Sequence, residues 1–176
     1  MIKNILVFAI VGGLCGLGVF NGSIQPGTGH LVLKITDAPG DLNISRANIT
    51  ISQIQVHRAA LGNNTTAGWF TVVNTTQTFD LIALQNVTEL LGSVNLNAGW
   101  YTQIRLRIDN AVLTINGTEY ECKIPSRTIK LIAPFRISGN TTTTLTLDFN
   151  VQRSVHQTGS SKYLFRPTIK ILRGLT

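Results

Sequence analysis

The chain has 176 residues, 43% of them hydrophobic and 13% charged, with a net charge of +7. That is enough apolar chain to bury one domain behind an N-terminal appendage, and it excludes an intrinsically disordered polypeptide. The basic residues are scattered, with no basic helix or basic–aromatic motif, so nucleic acid is excluded as a partner and anionic glycans or membrane surfaces remain.

Residues 1–20 come first. Lys3 supplies one positive charge, and Ile5 to Phe20 is uncharged and apolar. Its length suits a signal-peptide core and is short for a membrane span. Three roles stand open: a removed signal peptide, a membrane anchor, or a segment buried in an assembly. Gly12, Gly13, Gly16 and Gly18 would let helices approach closely in a bundle. Cys15 suits lipid attachment, but Leu14 precedes it where a small residue is required. Residues 21–29, broken by Pro26, read as a flexible joint.

From residue 30 to 173 the hydrophobic period is two, and strands dominate. Leu31, Leu33 and Ile35 share one face. In Asn48 to His57 the phase slips between Ile51 and Ile54, which predicts a bulge near Ser52-Gln53. Residues 58–68 form a polar loop. Trp69 to Val73 and Thr78 to Leu84 are short strands. Asn86-Val87-Thr88-Glu89 fits a capping box, predicting a helical turn that ends near Gly92. Trp100 to Ile108 alternates cleanly. Asn116-Gly117 is a type I′ hairpin signal that pairs Ile115 with Thr118, Leu113 with Tyr120 and Ala111 with Cys122. That places Cys122 inside as a small apolar side chain. Since Cys15 lies in the N-terminal stretch, no internal disulfide framework exists. Ile129 to Ile137, Leu145 to Val151 and Tyr163 to Ile171 complete the set, with Pro167 marking an edge or bulge. The expected fold is all-β: an antiparallel β-sandwich of two packed sheets behind a hydrophobic N-terminal segment.

Nine Asn-x-Ser/Thr sequons begin at Asn21, Asn43, Asn48, Asn63, Asn64, Asn74, Asn86, Asn116 and Asn140. All follow the apolar stretch. Such sites accept glycan only on an exported chain, so the expectation is a glycosylated extracellular or cell-surface protein. At Asn86, capping and glycosylation compete for one side chain.

Candidate chemistry is sparse. His30, His57 and His156 have no metal-ligand spacing, and no nucleophile elbow, HExxH or phosphate loop is present. No enzyme and no cofactor is expected. Asp37 and Asp41 flank Ala38-Pro39-Gly40, an oxygen-rich turn able to take Ca²⁺ or simply to satisfy its own amides. Arg105 and Arg107 share an outward strand face, where they either grip an acidic partner or lay their stems over the sheet. Trp69, Trp100 and Tyr101 offer an aromatic ligand platform or sheet packing.

Six segments carry a resemblance: Gly29 to Leu42 (GHLVLKITDAPGDL), Ala47 to Ala59, Thr78 to Asn86, Ala98 to Ile108, Thr142 to Val155 and Lys162 to Ile171. Together they resemble the domain of unknown function 4382 family over about residues 29–172. The resemblance implies an exported archaeal or bacterial β-sandwich and supplies no catalytic residues. Two functional expectations follow. One is a self-assembling surface protein, such as a filament or surface-layer subunit. The other is a membrane-anchored monomeric module that binds carbohydrate or another surface protein.

Overall fold

The computed structural model describes residues 27–40, 43–60 and 67–174. The expectations for residues 1–20, for Asp41, and for sequons Asn21, Asn63 and Asn64 lie outside the described residues. The chain forms twelve strands: β1 (Thr28–Asp37), β2 (Ile44–Arg58), β3 (Gly68–Val73), β4 (Gln77–Asp80), β5 (Glu89–Asn97), β6 (Gly99–Ile115), β7 (Thr118–Lys123), β8 (Thr128–Ile137), β9 (Thr142–Phe149), β10 (Val155–Gln157), β11 (Tyr163–Phe165) and β12 (Ile169–Arg173). One short helix, α1 (Val151–Ser154), follows β9.

The strands make two packed sheets. The smaller has the order β12-β9-β1-β5; the larger runs β10-β11-β7-β6-β2-β3, with β4 also on β2 and β8 also on β6. The long strands β2 and β6 form the centre of the larger sheet, and each holds two shorter strands end to end along one edge. The core lies between the sheets, where the period-two rows meet. Leu31, Leu33 and Ile35 of β1 and Leu145, Leu147 and Phe149 of β9 face Ile51, Ile54 and Val56 of β2 and Ile104, Leu106 and Ile108 of β6, all fully buried or nearly so.

The sandwich stands, but its pairing is mixed. β9 lies parallel to β1, and β11 parallel to β7. The cause is a hop between layers. β8 ends in the larger sheet, the chain crosses at Gly139, and β9 enters the smaller sheet at the end where β1 begins. There Asn140 N donates to Thr28 O and Gly139 packs on Gly27. Strand β1 also starts two residues earlier than expected, because Thr28 and Gly29 pair with Asn97 and Leu96.

Local expectations met different fates. Ser52 is the extra residue of a bulge between Ile51 and Gln53. The hairpin pairs Ile115 with Thr118 and Leu113 with Tyr120, and Asn116 and Gly117 both take positive φ, 50° and 79°. The strand begun at Thr78 stops at Asp80 instead of Leu84. The Asp80 carboxylate accepts from Ala47 N and Ile82 N, which folds residues 81–84 into a turn. The helical turn expected after Asn86 is absent. Asn86 has φ 62°, which a helix N-cap does not adopt, and Glu89–Asn97 is a strand along β1. The helical turn that does form, α1, has Asn150 as its N-cap, accepting from Arg153 N at 2.9 Å.

Candidate functional site

The outer face of the larger sheet gathers the polar and aromatic residues that the outward strand positions supply. β6 presents Gln103, Arg105 and Arg107 outward because Ile104, Leu106 and Ile108 point in. β2 and β3 set Gln55 and His57 opposite Thr71 and Trp69. The Arg105 guanidinium lies 4.1 Å from the centre of the Trp69 ring. Its Nε donates to Gln55 Oε1 at 3.1 Å, and its second terminal nitrogen reaches the same oxygen. His57 stands edge-on to Trp69, centroids 5.1 Å apart, and its Nδ1 lies 3.4 Å from Thr102 Oγ1. Arg107 donates to Asp109 at 2.8 Å and holds that carboxyl below its ordinary range. The two arginines therefore have separate partners: one is stacked and hydrogen-bonded, the other is paired on the surface.

The three aromatics do not form one platform. Trp100 and Tyr101 are adjacent in β6 and point to opposite faces. Tyr101 is fully buried, stacks on Phe135 at 5.3 Å, and donates its hydroxyl to Asn97 O. As a ligand-surface residue it is corrected to a core residue. Trp69 is half-buried under Arg105. Trp100 is exposed and borders an open cleft of about 350 Å³ with Arg136, Thr142 and Arg173.

Asp37 is buried at the end of β1, away from this face. Its Oδ1 accepts from Val151 N at 3.0 Å, and its Oδ2 from Gln85 Nε2 at 3.5 Å. Both oxygens thus meet N–H donors, which a cation would have to displace. Burial raises the carboxyl to about 6 against those lowering hydrogen bonds. Among the described residues there is no group of three or more His, Cys, Asp or Glu placed to hold a metal.

The six described sequons all keep their asparagine out of the core. Asn43, Asn74, Asn86, Asn116 and Asn140 are exposed in turns and connections, and three of these have left-handed φ: Asn86 at 62°, Asn116 at 50° and Asn140 at 56°. Asn48 differs. It lies within β2, half-buried, flanked by Asp80 of β4 and Val112 of β6.

A family model described as "Domain of unknown function (DUF4382)" matches residues 28–167. The chain belongs to the DUF4382 family. No curated protein matches this DUF4382 chain, and no solved structure matches it either. The family match covers nearly all of the sandwich, from the start of β1 to the segment joining β11 and β12.

Two buried polar residues of this DUF4382 domain escape a reading by motif. Arg58 is inside, donating to Ala98 O at 2.9 Å and lying against Gly99. Ser154 is inside too, donating to Asn150 O and accepting from Thr168 N. Arg58 had a signal: it follows Ile54 and Val56 in the inward phase of β2. Ser154 had none, because α1 has too few residues to show a period.

Proposed function

We propose that this protein is a non-enzymatic, glycosylated structural protein of the cell surface that self-assembles. The observation that supports it is the placement of the sequons. An apolar-rich chain with few charges carries nine sequons between Asn21 and Asn140, and of the six described, five have their asparagine exposed and Asn48 is half-buried. Those five lie in turns and connections. Glycans there would supply the surface polarity that 13% charged residues do not. Negative-stain microscopy and sedimentation of the native protein from a cell-surface fraction test the reading. Regular assemblies are expected; a strictly monomeric mature protein contradicts it.

The exposed Trp100 beside Arg136 and Arg173 favours a second reading, an anchored monomeric module that binds carbohydrate or another surface protein. A glycan array probed with the full chain tests its carbohydrate arm, and uniform non-binding removes that support.

A further inference from the structure

The outer face of β3, β2, β6 and β8 carries a charge that the fold does not balance. Register sets Thr71, Gln55, Arg105 and Lys130 in one row across the four strands, and Trp69, His57, Gln103 and Ile132 in the next. Arg105 and Lys130 are therefore direct cross-strand neighbours on one face. Like charges so placed repel and cost stability. A carboxylate beside them would offset that cost, yet the ion pairs among the described residues lie elsewhere: Arg46 with Asp80 and Arg107 with Asp109. Of the other described acids, Glu119 and Glu121 are on β7 beside the far half of β6, Glu89 and Asp148 belong to the smaller sheet, and Asp37 is buried.

Arg105 is also fixed in place. A long surface side chain ordinarily keeps much rotamer freedom. Here the guanidinium lies 4.1 Å from the Trp69 ring centre, and Gln55 Oε1 accepts from its Nε and from one terminal nitrogen. Gln55 is held in turn, its Nε2 donating to Thr71 Oγ1 at 3.3 Å. The row thus meets a cation with one neutral oxygen and orders the guanidinium before any ligand arrives. The exposed Lys130 stands next to it in the same row.

The charge sets the sign of the ligand, and the neighbouring side chains set its class. Gln55, Gln103 and Thr71 bring amides and a hydroxyl that suit sugar hydroxyls, and the Trp69 and His57 rings border them. Four strands about 4.8 Å apart give a face about 14 Å across, open enough for an extended chain. A protein partner would call for an apolar centre. In these two rows the exposed large aliphatic is Ile132, at the edge strand, not the middle.

We propose that these two rows bind an acidic oligosaccharide, its carboxylates or sulfates lying over Arg105 and Lys130. The proposal rests on the carbohydrate-binding reading and gives it a site and a ligand class. Titration calorimetry of the full chain with an oligogalacturonate, with sulfated dextran and with neutral dextran tests it. At least one acidic polymer is expected to bind, more weakly as salt is added, and neutral dextran at least tenfold more weakly. Arg105→Gln is expected to weaken acidic binding about tenfold or more, and the exposed Lys130→Gln about threefold with Tm unchanged. If Arg105→Gln also lowers Tm, Lys130→Gln decides. Lys162→Gln removes an equal charge from the connection between β10 and β11 and should leave binding as it was. An equal loss in Lys162→Gln, equal affinity for neutral dextran, or tighter binding of polyglutamate than of either acidic polymer overturns the proposal. Binding that survives Arg105→Gln and Lys130→Gln but is lost in Trp100→Ala overturns this face alone and leaves the carbohydrate reading standing. Failure of all three polymers to bind overturns both.

Discussion

Asp37 is held in its neutral form to an unusually high pH. Burial lifts its carboxyl from an ordinary 3.8 to about 6, so between those values the folded chain binds more protons at this site than the unfolded one. Stability from this group is therefore complete below pH 3.8 and is lost as pH rises through about 6, a swing of about 3 kcal/mol at most. Asp37→Asn keeps an acceptor for Val151 N, and a turned Gln85 amide meets its NH₂. The variant is expected to flatten the fall in Tm between pH 4 and 6; an unchanged slope would assign the effect to other groups, such as Asp148, whose carboxyl burial also raises. Cys122 gives a second prediction. Burial pushes its thiol up to about 11, so the thiolate is scarce near neutrality. In the native protein at pH 8, peptide mapping after alkylation should find Cys122 unmodified, and after denaturation fully modified. Labelling at equal rates in both states would mean that the β7 side of the core is open.

At the scale of elements, the start of β1 and the end of β8 approach closely at Gly29. A Cβ on Gly29 would strike Ser138 O and Ile137 Cγ2, both on the chain leaving β8. Backbone cannot yield as a side chain does, so Gly29→Ala is expected to cost roughly 1–3 kcal/mol and lower Tm by about 5 °C. Gly40→Ala, which meets only the Gln152 side chain, serves as the control and should shift Tm little. Equal shifts in the two variants would refute the close approach. The elements differ in how far the sequence reveals them. β1 and β9 are plain there because their rows alternate without interruption against a core on one face, and the middle of β6 because Ile104, Leu106 and Ile108 do the same. The Asn116-Gly117 hairpin is plain because turn chemistry and register agree. β5 is hidden: Asn86 to Glu89 has the local chemistry of a helix start, and the unpaired edge of β1 overrides it. The turn at 81–84 depends on the Asp80 carboxylate reaching Ala47 N, a partner 33 positions away that no local pattern shows. The parallel pairs β1/β9 and β7/β11 are equally silent, since parallel and antiparallel neighbours present the same alternation. Tyr101 shows the limit at single residues. Its phase with Ile104 could be recovered only by knowing that the β6–β8 register shifts between Tyr101 and Gln103.

At the scale of the whole molecule, the described residues form a two-sheet sandwich with its core between the layers, and the function is argued from its exterior. Of the candidate residues, the sequons were fully legible, because Asn-x-Ser/Thr is a local pattern. The arrangement of Arg105 on Trp69 and Gln55 was not, because it needs three strands in register. Position in the fold ranks the sequons for modification. Asn43, Asn74, Asn86, Asn116 and Asn140 stand clear in turns and connections, while Asn48 lies between β4 and β6 within a paired strand. Glycopeptide mass spectrometry of the protein purified from its native cells tests the central claim most directly. The expected result is oligosaccharide on most of those five exposed asparagines, with Asn48 bare or least occupied. A native polypeptide whose intact mass equals that of its unmodified sequence would contradict the claim that this chain is exported and glycosylated.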